Sequence, residues 1–209
     1  MSRPYLNINS ATFSYSTDVV TLDITALRMR GQTSITLGGF SASQTISLTN
    51  GYYNNSSYTF SAVLDGSTSS TSTSTTYSAA TATITFSGTA SKNANVGFTL
   101  PGTLKVLGAG GYTFSATQST ADALNLLVGS MSFSTSGFSA TTSGNSIVFS
   151  APSSTGAYYN GYSVTVDKQV GLGTFTFSYG ASFSAGTTTF ALSLGSSDFG
   201  TIESFNFTV

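Results

Sequence analysis

Apolar and small polar residues alternate with a period of two along most of this chain. Successive side chains of a strand point to opposite faces, so the pattern predicts strands that bury one face and expose the other. It is carried by 11–15, 19–26, 33–37, 44–48 and 57–63, then by 82–87, 96–100, 103–107 and 112–115. A last group is 139–142, 146–151, 162–166, 174–179, 187–194 and 202–209. Turn-forming pairs separate them: Asn50-Gly51, Ser87-Gly88, Pro101-Gly102, Gly110-Gly111, Ser143-Gly144 and Asn160-Gly161. Many short strands with regular turn signals predict an all-β fold, a sandwich or a barrel-like sheet.

One segment changes period. Leu124, Leu127, Val128 and Met131 recur at helical spacing behind Ser119, a good N-cap, with Asp122 at the positive end of the helix dipole and Gly129 as a stop. A short helix near 119–129 follows. The run 67–78 is almost wholly Ser and Thr and reads as a surface loop, with an exposed hairpin or a pore-lining hairpin as the other readings. Residues 45–60 echo 146–166, each placing two tyrosines and an asparagine after a strand. That suggests two related β-domains, 1–80 and 81–209, with a single domain over 1–209 as the alternative.

Composition then narrows the function. Six Lys/Arg and seven Asp/Glu make up 6% of 209 residues, against roughly 25% in an average soluble domain. Soluble β-proteins use such charges to blunt strand edges. Their scarcity predicts edges that are covered by neighbours in an assembly, or a chain that lives on a surface where diffusion is not required. The basic residues Arg3, Arg28, Arg30, Lys92, Lys105 and Lys168 form no run, so neither nucleic acid nor an acidic membrane surface is an expected partner. No window is apolar enough for a membrane-spanning helix. The first ten residues lack the apolar core of a secretory signal, so the chain is expected to be made and kept in the cytoplasm or to leave by cell lysis. The sequons at Asn54 and Asn206 then carry little meaning.

Without His or Cys, Ser-His-Asp and Cys-His catalysis and Cys-based zinc sites are closed to this chain alone. Asp18 with Asp23, and Asp198 with Glu203, are acidic pairs, but strand-end charges explain both. Gly171-Leu-Gly173 and Gly108-Ala-Gly-Gly111 read as turns, since neither runs into a helix with the Lys-Ser/Thr of a phosphate loop. No catalytic residue, metal ligand or cofactor is expected, and the chain is read as a non-enzyme. Contact sites are a different matter. Arg28 and Arg30 share a strand face and suit a neighbour's carboxylates, or else stand at an exposed strand end. Tyr52, Tyr53, Asn54 and Asn55, and likewise Tyr158, Tyr159 and Asn160, combine rings with amides and suit protein interfaces or sugar stacking, or else are turn residues whose rings cap the sandwich ends. Phe205 and Phe207 lie in a C-terminal strand suited to exchange between subunits.

Four pieces in the middle of the chain, read in order, carry a resemblance: Ala82-Thr-Ile-Thr-Phe-Ser-Gly-Thr-Ala90, then Gly111-Tyr-Thr-Phe-Ser-Ala-Thr-Gln-Ser119 running into the helix, then Phe138 to Pro152 around Ser143-Gly144-Asn145, and Gly156-Ala-Tyr-Tyr-Asn-Gly161. Together they resemble a module of tailed-bacteriophage virion proteins over about 80 residues, a module also met in bacterial surface proteins. Lys92-Asn-Ala-Asn stands where such modules often have a Gly-Asp turn. The resemblance implies a structural virion subunit (head decoration, tail tube or fibre) with itself and other virion proteins as partners, and it implies no catalytic residues. A surface adhesin or filament subunit binding glycans through the Tyr/Asn turns, and a β-pore-forming protein, are the rival readings.

Overall fold

A computed structural model of the chain describes residues 5–14, 19–27, 34–38, 44–47, 56–63, 75–196 and 200–208. The strands are β1 (Tyr5–Ser14), β2 (Val19–Leu27), β3 (Ser34–Gly38), β4 (Gln44–Ser47), β5 (Ser56–Val63), β6 (Thr75–Ser78), β7 (Thr81–Ser87), β8 (Asn95–Leu100), β9 (Leu104–Lys105) and β10 (Tyr112–Thr113). After the helix α1 (Thr120–Ser130) come β11 (Ser139–Ser143), β12 (Ser146–Ser150), β13 (Thr165–Val170), β14 (Thr176–Phe177), β15 (Thr187–Ser196) and β16 (Gly200–Thr208). The fold is all-β, with open sheets and no closed barrel among the described residues.

The chain divides into two compact units, and the second is inserted into the first. Unit 1 takes residues 1–76 and 188–209, and unit 2 takes 77–187. The first boundary lies close to the expected one at 80/81. The C-terminal strands, expected to continue the second domain, belong to the first unit instead. The echo between 45–60 and 146–166 is not one of topology: β4 pairs with β3 at the end of its sheet, whereas β12 sits between β11 and β7.

Unit 1 contains the sheets β1-β2-β5 and β16-β15-β3-β4, while β6, which pairs with β15, runs across the 76/77 boundary. Alternation on β2 buries Val20, Leu22, Ile24 and Ala26, and Leu6, Ile35 and Leu194 are buried on β1, β3 and β15. Asn9 falls at a register shift between Ile8 and Ser10, and its Nδ2 donates to Thr25 Oγ1 at 2.8 Å. That bond secures the bulge and lets β1 begin at Tyr5, six residues before the alternation becomes legible.

Unit 2 packs β11-β12-β7-β14 against β10-β8-β13, with β9 also on β8. Ala82, Ile84 and Phe86 of β7 meet Val96, Phe98 and Leu100 of β8, with Ile147 and Phe149 of β12. Rings fill the centre: Phe86 lies edge-on to Phe98 at 6.3 Å and stacks on Phe175 at 5.2 Å, and Phe98 lies 5.5 Å from Phe149. Helix α1 closes one part of this core with Ala123, Leu124 and Leu127. Ser119 caps it as expected: its Oγ accepts from Asp122 N at 3.2 Å and donates to Asp122 Oδ2 at 2.6 Å. Gly129 does not end it. The helix runs to Ser130, and Met131 N–H closes the last turn on Val128 O, a tightened ending that needs no left-handed residue.

Two other expectations shift for local reasons. The strand expected at 103–107 shrinks to Leu104–Lys105, because Pro101–Thr103 forms a 3-10 turn in which Gly102 has φ 75°. The strand expected at 162–166 lies instead at Thr165–Val170, continuing through a register shift between Val166 and Lys168. There Asp167 is the extra residue, and a bulge of this kind hides a strand from a period-two search.

Gly88 is the tightest turn. It has φ +81°, and a Cβ there would lie 2.0 Å from Thr174 O. Gly144 also has positive φ (+56°) but faces open space. Gly88→Ala is therefore expected to cost about 3 kcal/mol or more, and Gly144→Ala about 1 kcal/mol. Urea unfolding of the two variants checks this, and equal losses would show that the contact with Thr174 does not matter.

Candidate interaction surfaces

The alternation that builds the core of unit 2 also builds its outer face. On β7 the residues between the buried ones are Thr81, Thr83, Thr85 and Ser87. Register carries the pattern sideways in three rows: Ser139, Ser150 and Thr81; Thr141, Val148 and Thr83; Ser143, Ser146 and Thr85. Every position but Val148 carries a hydroxyl, and none is charged. The hydroxyls also bond across strands. Thr85 Oγ1 lies 2.9 Å from Ser146 Oγ, Ser87 Oγ 2.8 Å from Thr176 Oγ1, and Thr89 Oγ1 3.1 Å from Thr174 Oγ1. Short hydroxyl side chains already paired with one another are cheaper to cover than Lys or Glu, which lose hydration and up to about 2 kcal/mol of rotamer freedom. Sequence reasoning identified strand 82–87 but not this face. The signal was there in Thr-Ala-Thr-Ile-Thr-Phe-Ser, once the odd positions are read as carefully as the even ones.

The edges of unit 2 differ from one another. On β13 the bulge at Asp167 interrupts the ladder, and Lys105 pairs with Asp167 at 3.4 Å, the one ion pair among the described residues. Thr99 Oγ1 adds a bond to the same carboxylate oxygen at 2.9 Å. Bulge and charge together are the usual protection of an edge strand. Strand β11 has neither. It pairs in regular register with β12 alone among the described residues, and Ser-Ala-Thr-Thr-Ser is exposed at every position but half-buried Ala140.

Tyr158, Tyr159 and Asn160 sit at the end of a 3-10 stretch, Ser153–Tyr159, broken at Gly156. Their roles separate. Tyr159 is half-buried and stands edge-on to Phe138 at 4.9 Å and near Phe183 at 6.3 Å, so it anchors the loop to the core. Tyr158 and Tyr162 are 44% and 47% exposed and lie nearly parallel at 6.0 Å, forming an aromatic patch above it. Asn160 is a clamp: Nδ2 donates to Gly186 O at 2.9 Å and Oδ1 accepts from Gly186 N at 3.0 Å. Gly186 in turn has no room for a side chain, since a Cβ would fall 2.3 Å from Gly156 O and 2.8 Å from Ala80 Cβ. This amide thus ties the turn after Ser153–Tyr159 to Gly186, just before β15.

Arg28, Arg30, Tyr52, Tyr53, Asn54 and Asn55 lie outside the described residues, as do Asp18, Asp198 and 64–74. Phe205 and Phe207 are on β16, opposite Leu192 and Phe190 of β15. Strand β16 is an end strand of its sheet, bonded to β15 on one side among the described residues. Among the described residues no three of His, Cys, Asp or Glu group as a metal site, and no helix is long and apolar enough to cross a membrane. A groove of about 200 Å³ beside Val164, Val166 and Tyr179 is smaller than the ~300 Å³ at which small-molecule sites begin.

Asn160→Ala leaves the N–H and C=O of Gly186 without this partner, and a loss of about 2 kcal/mol is expected. Chemical denaturation measures it; an unchanged midpoint would show that the clamp is not needed to close the unit. In comparisons with protein-family models, curated proteins and solved structures, the chain finds no match.

Proposed function

We propose that the chain is a non-enzymatic structural subunit of a tailed-phage particle, of the head-decoration, tail-tube or fibre kind. It assembles in the host cytoplasm with copies of itself and with other virion proteins. The observation that carries this reading is the contrast between two edges of unit 2. At β13 the unit keeps a bulge and an ion pair; at β11 and the adjoining outer face it keeps no charge at all. Dispersed monomers commonly blunt exposed edges with charges or bulges. The resemblance of the 82–161 region to virion modules supports the phage setting. Of the amides on which the glycan-binding reading rests, Asn160 already bonds Gly186, and Asn54 and Asn55 lie outside the described residues.

Two measurements test the proposal. The purified chain is expected to gain mass with concentration in light scattering, and to do so equally at low and high salt, because screening weakens only ionic contacts. Antibody against the chain is expected to label phage particles released by cells that carry the gene. A chain that stays monomeric, or antibody bound only to cell surfaces alongside hits on a glycan array, would contradict it.

A further inference from the structure

The edge of β11 away from β12 pairs with no other strand among the described residues, while Thr142 Oγ1 donates to Asn125 Oδ1 of α1 at 3.4 Å. The backbone of β11 has a definite hydrogen-bonding phase. Ala151 N donates to Ala80 O at 2.9 Å and Phe86 N to Asn145 O at 2.7 Å, so the odd-numbered positions along β12 bond toward β7. In an antiparallel ladder the alternate positions bond to the other side. Ser146, Val148 and Ser150 therefore bond toward β11, through their partners Ser143, Thr141 and Ser139. Ala140 and Thr142 are left with backbone N–H and C=O directed out of the sheet.

We infer that this edge pairs with the β11 edge of a second copy, antiparallel, about a two-fold axis at Thr141. The inference deepens the assembly reading and rests on it. Centred there, Ala140 of each copy meets Thr142 of the other and exchanges backbone hydrogen bonds on both sides of the axis. Thr141 meets its own counterpart as a non-hydrogen-bonded pair, and the contact is isologous. On the outer face Ser139 then stands opposite Ser143. Hydroxyl pairs of this kind already join strands inside the chain, at Thr85 with Ser146 (2.9 Å), Ser87 with Thr176 (2.8 Å) and Thr189 with Thr208 (2.7 Å). No side chain on β11 carries a charge that its copy would oppose. The product joins two four-stranded sheets edge to edge, and their hydroxyl rows continue across the axis. One five-residue strand is a weak contact alone, and repetition around a particle strengthens it.

The chain has no cysteine, so one introduced thiol gives a clean readout. A non-hydrogen-bonded pair has its Cα atoms about 4.5 Å apart, within disulfide range. Oxidised Thr141→Cys is expected to form a covalent dimer about ten times faster than Thr83→Cys, which lies on the same face but on an inner strand. Thr141→Lys and Thr141→Glu each are expected to weaken association about tenfold without lowering the melting temperature, and an equimolar mixture to restore it. Equal crosslinking rates at 141 and 83, or a mixture no better than its parts, would overturn the inference. If the wild-type chain nonetheless gains mass with concentration, only the β11 contact falls; if it stays monomeric, the assembly reading falls with it.

Discussion

The register of β7 is the constraint on which the rest of unit 2 depends. Its residues Ala82, Ile84 and Phe86 enter the core while Thr81, Thr83, Thr85 and Ser87 stay outside. A slip of one residue would exchange the two sets. It would forgo about 1.5–3 kcal/mol for each large side chain and would bury hydroxyls at about 1–3 kcal/mol each. The neighbouring strands inherit this phase. Because β12 is locked to β7, β11 is locked in turn, and the direction of its free backbone groups is settled by residues two strands away.

Much of this was legible in the chain. Period-two alternation found the strands of the core, and the Ser119 cap with its leucine spacing found α1. What escaped shares a physical cause: it depends on partners distant in sequence. The return of 188–209 to unit 1 leaves no mark, because composition does not change where the chain crosses over. The bulges at Asn9 and Asp167 break the very alternation that reveals strands. Strand β6 lies in a Ser/Thr run whose one large hydrophobic residue, Tyr77, gives no alternation, and its pairing with β15 makes it a strand. The tyrosine cluster was recognised, but its division into anchor, patch and clamp was not. Which ring faces Phe138, and that Asn160 reaches Gly186, are facts of tertiary packing.

Scarce charge acquires a location in the structure. The one described ion pair stands at the guarded edge, on the bulge of β13, while the hydroxyl face and β11 carry none. Hydroxyls satisfy one another across strands within the chain, and the same chemistry is available between chains. Such a surface is held apart from its neighbours by little, and it asks little desolvation when covered. Edge pairing of this sort needs no pocket, metal or titrating group, which suits a chain without His or Cys and with few ionisable side chains.

Amide hydrogen exchange of the intact chain, followed over a range of protein concentrations, tests the central claim most directly. Assembly through β11 predicts that the amides of Ala140 and Thr142, directed outward in the isolated subunit, slow as concentration rises. Those of Ser139, Thr141 and Ser143, bonded to β12 throughout, should change far less. Exchange at Ala140 and Thr142 that stays fast and independent of concentration, in samples whose mass has risen, would contradict it.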